Sequence, residues 1–438
     1  MNFLLILCAI LPLLMANSAF FPYITGKVVF LRFSITAVSI LFLAHFVQNK
    51  SFKKQIHTKM KALRKNPIFI SLVVHFLFFI MSAFFAINKY WAFYGSIERG
   101  EGVIGMLFFF GFFLFSALLF EMKEWVWFFK LGMAASVILF IDAAVAALNG
   151  ADRPASFAGH PIYLGVFFLY VMFSSWIVYF SKEKTNLFWQ IFSVALVPIC
   201  LVGILIAKAR GAMVGLAAGL LVILIYLAFR GNEIKWHGVR LRVLSFGLLL
   251  LLFFSGSTFF VTRHSPLWQK IPGLNRLAEI SSKDKTTLSR LLTAKVALVS
   301  VDPRGENRDK FFLGWGPENF LIAWNKYYDP EIYQYDPASL DRAHNKLLDM
   351  LVMNGIFGLV SYLAVWFFAF KRLLVKGVPS PANGQISYPS ALLFFGVAYF
   401  VQNLFVFDSV VTYTPFFAFL SFLIFHHSKA YTDPHAKT

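Results

Sequence analysis

Long uninterrupted apolar runs dominate this chain and limit what it can fold into. About twelve of them fall near residues 2–20, 28–47, 67–87, 103–120, 126–148, 161–180, 187–207, 212–229, 243–262, 345–370, 391–407 and 412–427. Hydrocarbon offers no partners for backbone N–H and C=O groups, so a run of roughly 18 to 25 apolar residues reads as a helix that satisfies them internally. The expected fold class is an all-α polytopic integral membrane protein with about twelve transmembrane helices. Composition agrees, since 59% of residues are hydrophobic and only 14% charged, too few to cover a water-soluble globule. The first run ends in Ala-Asn-Ser-Ala but lacks a basic leader, and is read as a span, not a cleaved signal. Cys8 and Cys200 lie inside apolar runs, so no disulfide or zinc chemistry is expected.

The net charge of +19 does not point to nucleic acid, because the basic residues punctuate apolar blocks instead of forming one patch. It acts as a topology signal. Residues 48–66 carry Lys50, Lys53, Lys54, Lys59, Lys61, Arg64 and Lys65, which marks an inner face. Counting helices from there predicts both termini inside, and places outside a single long polar connection near 263–344. The expected organisation is nine helices over 1–262, the outer loop with short helices over 263–344, and three helices with a tail over 345–438. A structureless loop of that length is unusual, so it is expected to fold over the outer mouth and carry function.

The chemistry-bearing residues gather at the outer side. Lys208 and Arg210, in Ala-Lys-Ala-Arg-Gly-Ala, could cradle an anion such as a pyrophosphate, or could snorkel to the interface. Gly211, Gly215 and Gly219 recur every fourth residue and predict close helix packing. In Asp341-Arg342-Ala343-His344-Asn345, Asp341 as a helix N-cap would put His344 in the first turn. There the helix dipole disfavours imidazolium and suits a neutral general base. Asn345 would orient the imidazole or cap the helix. Arg290 is expected on an amphipathic helix, Thr287 to Val299, whose apolar side holds Leu291, Ala294 and Leu298; it reads as a second phosphate ligand or a surface charge. Trp315, in Gly-Trp-Gly-Pro, could stack on a sugar or on lipid. Asp408 reads as a cap or a partner to an arginine, and Arg153 and His160 are weaker candidates. Neither metal-ligand spacing nor a Walker pattern is present, so no metal, nucleotide or other cofactor is expected.

Those residues fall in motifs that resemble the O-antigen ligase and polymerase superfamily. The Asp341–Asn345 stretch continues into Leu347-Leu348 and Gly355-Ile356-Phe357-Gly358-Leu359. Further matches are Pro22 to Lys27, Ile97 to Gly102, Ala209 to Ala212, Ser289 to Leu291, Gly314 to Phe320 and Gln402 to Asp408. The resemblance implies a GT-C-like glycosyltransferase in the inner membrane of a cell with a periplasm, acting at the periplasmic face. It implies transfer of a glycan from undecaprenyl diphosphate to a lipid A core acceptor, metal-independent and with inversion. Arg210 and Arg290, with Lys208, would hold the diphosphate, and His344 would be the base. One large outer loop before the histidine motif looks more like the ligases than the polymerases; protein O-oligosaccharyltransferases share the same motif and stand as a further alternative. A polysaccharide transporter is the rival from another class, but no related halves are visible.

Overall fold

The computed structural model describes residues 1–181, 183, 186–231, 235–236, 239–281, 284–375 and 388–427. Among them, eight helices are long and apolar enough to cross a membrane. They are Pro22–Gln48, Pro67–Phe84, Met122–Leu148, Pro161–Tyr179, Leu187–Ile206, Arg210–Arg230, Leu241–Thr262 and Lys346–Val375. Four shorter apolar helices, Asn2–Leu13, Val103–Leu119, Tyr388–Gln402 and Val410–His426, complete the set, so every apolar run has become a helix. The protein is an all-α multi-pass membrane protein. Among the described residues the one extended feature is a two-residue antiparallel pairing of Lys235–Trp236 with Val239–Arg240.

The spans begin where local chemistry permits. Pro67 and Pro161 occupy first helical positions, where a missing N–H costs nothing, and Asn66, His160 and Asn186 cap the following N–H groups with their side chains. The first run is shorter than expected: its helix ends at Leu13, and the Ala16 N–H turns back to the Pro22 carbonyl. The basic segment after the second span forms its own helix, Lys50–Leu63, with Ile56 and Leu63 buried and most of its lysines exposed.

The chain forms two compact units. One comprises Phe129–Ile280 and Phe370–Gln402. In it the Arg210–Arg230 helix packs closely on Tyr388–Gln402, and the glycine spacing accounts for the approach. A Cβ at Gly215 would lie 2.4 Å from the Ala398 carbonyl oxygen, and one at Gly219 2.8 Å from that of Phe394. The other unit comprises Met1–Phe128, Ser281–Ala369 and Asn403–Thr438. There Val103–Leu119 packs on Val410–His427 through Phe109 stacked on Phe417 and a buried 2.9 Å hydrogen bond between Ser116 and Ser421.

The long polar connection is structured. Pro266–Lys270 and Leu274–Ala278 belong to the first-described unit. Lys285–Val299, Lys310–Leu313, Phe320–Lys326 and the 3-10 turn Pro330–Gln334 belong to the second. The helix expected around Arg290 forms over Lys285–Val299, and its leucine side is not the side it buries. It buries Ser289, Thr293, Val296 and Ala297, leaving Leu291 and Leu298 exposed. Small side chains let this helix approach its neighbours, and the leucines point away.

Candidate functional site

The Lys346–Val375 helix is broken near its start. Gly355 has φ 68° and ψ −172°, a conformation open to glycine almost alone, and a Cβ there would meet the Phe312 carbonyl oxygen at 2.2 Å. A break strands backbone carbonyls, and in a membrane protein these need partners. The Gly314–Phe320 segment supplies them: the Trp315 N–H donates to the Val352 carbonyl at 2.8 Å and the Gly316 N–H to that of Met353 at 2.9 Å. Ser82 Oγ donates to the Leu313 and Met353 carbonyls. Asn319, fully buried, exchanges hydrogen bonds with the Asn88 backbone at 2.7 and 3.1 Å. The Gly314–Phe320 segment thus splints the broken helix. Trp315 itself is buried with its indole N–H on the Ser300 carbonyl, which corrects its reading as an exposed stacking platform.

This splint brings Glu318 to Arg342. The Arg342 guanidinium is 5% exposed and lies between two buried carboxyls, paired with Glu318 and with Glu101 at 3.1 Å. Two carboxyls around one cation need only one negative charge. Burial pushes Glu101 up to about 8, against the opposing pull of Arg342 and with the neighbouring Glu318 raising it further. Burial would lower Arg342, but the facing carboxylates hold its pKa well above the ordinary value.

The residues on either side of His344 are all held. Asp341 receives Arg99 at 2.7 and 3.2 Å; Asp349 Oδ1 accepts from the Ala343 N–H at 2.6 Å. Asn345 Oδ1 accepts from the N–H groups of Leu347 and Leu348, so Asn345 is the cap. Lys346 donates its backbone N–H to the Asn403 carbonyl, and its ammonium meets Asp408 at 3.0 Å and the Tyr413 hydroxyl at 2.7 Å. Two expectations are corrected here. Asp341 is drawn to Arg99 and does not cap, so His344 precedes the helix instead of lying in its first turn. Asp408 pairs with a lysine, not an arginine.

His344 itself has φ +52°, a left-handed conformation that a non-glycine residue adopts only when its surroundings impose it. Its Nδ1 lies 3.2 Å from the Arg342 carbonyl. A carbonyl can only accept, so Nδ1 carries the hydrogen and Nε2 holds the lone pair. Burial lowers the pKa of His344, and the positive charge of Arg290 lowers it further, against the raising effect of the Arg342 carbonyl, Asp341 and Asp336. The ring packs edge-on against Phe407, over which the Arg99 guanidinium also lies, 4.5 Å from the ring centroid. The site therefore presents a neutral, oriented imidazole with an arginine near enough to influence it.

The remaining candidates lie in the other unit. Lys208 also has a left-handed backbone, φ +48°, and pairs with the exposed Asp152 at 2.5 Å. Arg210 begins its helix with its guanidinium 3.6 Å from Glu279. His160 caps Pro161–Tyr179 by accepting from the Ile162 N–H, and Arg153 contributes to lowering the pKa of Asp152, behind the larger effect of Lys208. Arg99, Glu101, Glu318, Arg342, Asp349 and Phe407 were not singled out from sequence as site residues. The signal available was the presence of acids and arginines inside motifs already matched, without a clue to their pairing.

A family profile described as O-antigen ligase matches residues 195–363, and the comparison with curated proteins found no match. The matched stretch holds Lys208, Arg210, Arg290, Trp315, Glu318, Asp341, Arg342, His344 and Asn345.

Proposed function

We propose, from the O-antigen ligase domain that residues 195–363 carry, that this multi-pass membrane protein is a ligase moving a glycan from undecaprenyl diphosphate to a lipid A core acceptor. The observation that carries the reading is the His344 imidazole, held by the Arg342 carbonyl within the matched stretch that also contains Arg210 and Arg290. His344 Nε2 takes the proton of the acceptor hydroxyl as its oxygen bonds to the anomeric carbon of the donor sugar. The bond from that carbon to the diphosphate oxygen breaks, and the diphosphate leaves with the electron pair. Attack opposite the leaving group inverts the anomeric centre.

Arg290 and Arg210, with Lys208, neutralise the leaving diphosphate. Arginines at a low-dielectric boundary do so through charge-assisted, often bidentate hydrogen bonds, without a metal ion in the proposed step. The glycan–diphosphate bond supplies the driving force, so no nucleotide enters. The reading places the reaction at the periplasmic face of the inner membrane, with both termini cytoplasmic, in keeping with the lysine-rich 48–66 segment.

Deletion in the native host tests the choice of acceptor. A ligase predicts lipid A core bare of polymer, with long carrier-linked chains accumulating. Core capped by a single repeat would instead indicate a polymerase, and loss of glycoprotein alone a protein-directed transferase.

A further inference from the structure

Nδ1 on the Arg342 carbonyl decides which nitrogen of His344 bears the hydrogen, but a single hydrogen bond leaves an imidazole free to swing about it. Phe407 supplies a second constraint. Its ring centroid lies 5.1 Å from that of His344 with the planes at 77°, the edge-to-face arrangement that aromatic pairs favour. A phenyl ring has no proton to exchange, so it limits the motion of the imidazole without competing for Nε2. It can do so only if it is itself held. Phe407 lies in the connection between the Tyr388–Gln402 and Val410–His427 helices, so its position has to come from tertiary contacts.

Two sets of contacts hold it. On one side the next residue, Asp408, is buried and accepts from Asn403 Nδ2 at 3.2 Å and from Thr412 Oγ1 at 3.0 Å. The Lys346 ammonium meets the same carboxylate at 3.0 Å, while the Lys346 N–H reaches the Asn403 carbonyl at 2.8 Å. The connection is thereby tied to the residue two places after His344. On the other side the buried Arg99 guanidinium lies over the Phe407 ring, and its Nε and Nη2 donate to Asp341 at 2.7 and 3.2 Å. Arginine suits this use, because its planar fork can grip a carboxylate and stack on an aromatic face at once. Asp341, Arg99, Phe407 and His344 thus form a closed circuit that begins and ends within residues 341–344, and it ends on the residue whose backbone is left-handed.

We propose that Phe407 is a positioning residue: held by Arg99 and by the Lys346–Asp408 pair, it sets the plane of the His344 ring so that Nε2 points at the acceptor hydroxyl. This rests on the reading of His344 as the base of a ligase. In this role Phe407 has no contact of its own with the reacting atoms and acts on the reaction through the imidazole alone.

The test uses the purified full chain in nanodiscs with undecaprenyl diphosphate-linked glycan and lipid A core. Misplacing a reacting group by about 1 Å costs about 10²-fold in rate, so Phe407→Leu should lower kcat about 10- to 100-fold, with donor and acceptor KM and the unfolding midpoint close to wild type. Phe407→Tyr, which keeps the ring, should recover most of the lost kcat. Arg99→Lys, which keeps a charge for Asp341 but loses the planar stack, should lower kcat by itself and add little in the Phe407→Leu background. Placement of the imidazole is read without turnover, by carbethoxylation of His344 with diethylpyrocarbonate at a pH where the ring is neutral, followed by peptide mass spectrometry. The half-exposed imidazole should react several-fold faster in Phe407→Leu than in wild type or Phe407→Tyr. An unchanged kcat, a kcat loss that follows a lowered unfolding midpoint, a change in KM alone, additive Arg99 and Phe407 effects, or equal carbethoxylation rates would each overturn the proposal. Should wild type transfer nothing while the carbethoxylation contrast holds, the ligase reading fails and the placement of His344 by Phe407 stands.

Discussion

His344 and Lys208 share a backbone conformation that side chains avoid, at φ +52° and +48°, but they are held in different ways. Around His344 the backbone is fixed from both sides by buried charge: Arg342 between Glu318 and Glu101, Asp349 on the Ala343 N–H, and the Lys346–Asp408 pair. Lys208 closes a helix end, its N–H on the Leu205 carbonyl, and its ammonium reaches one exposed carboxylate. Buried pairs collapse when one partner is removed, whereas an exposed pair contributes little. The strain at His344 is thus maintained by long-range architecture, and that at Lys208 by local chain geometry. The difference marks His344 as the position whose orientation the fold is built to keep.

The contrast has graded consequences. The largest concerns chemistry alone: His344→Gly relieves the backbone strain and removes the base. Transfer should fall about 10²- to 10⁴-fold while thermal stability holds or rises. A variant that loses stability in step with activity would make His344 structural. Next come the carboxyls around Arg342. Glu318→Gln should destabilise by about 3–5 kcal/mol, as loss of the counter-ion in a buried pair does. Glu101→Gln should stay within about 1 kcal/mol of wild type, since burial favours the protonated form of that carboxyl. Equal effects in urea or thermal unfolding would show that both acids are ionised.

A third consequence is read in pH. His344 must be neutral to act as base, and burial together with the Arg290 charge holds its pKa below the ordinary histidine range. Transfer should therefore be level at neutral pH and fall as pH drops through that lowered value. Removing the Arg290 charge with Arg290→Gln leaves burial as the depressing influence, so the acid limb should move to higher pH, whatever happens to the maximal rate. An unmoved limb in kcat/KM profiles would mean Arg290 does not influence the imidazole. The smallest effect belongs to the contrasting region. Asp152→Asn removes the exposed partner of Lys208 and should change stability by less than about 1 kcal/mol, measured by thermal unfolding.

The apolar helices were legible because lipid leaves an apolar run few alternatives to a helix, although only eight of them are long enough to be candidate spans. The close helix contact at Gly215 and Gly219 was legible because four-residue spacing puts both on one face. Elsewhere the sequence was ambiguous for definite reasons. Asp341 and Asn345 are equally good caps by type, and only the arrival of Arg99 from a distant loop decides that Asn345 takes the role. Trp315 lies in a turn-forming motif, which tells of a sharp bend but not that the bend is buried as a splint for the Gly355 break. The pairing of Arg342 with Glu101 joins residues 241 apart, and no local period records it. Leu291 and Leu298 have helical spacing, yet the buried face is the one with small residues.

The most direct test of the account is transfer by the purified full chain, in lipid, supplied only with undecaprenyl diphosphate-linked glycan and lipid A core. Wild type should form the conjugate with inverted anomeric configuration, and His344→Ala and Arg210→Ala should lose it while remaining folded. Full conjugate formation by both variants would contradict the assignment of the base and of the diphosphate ligand together.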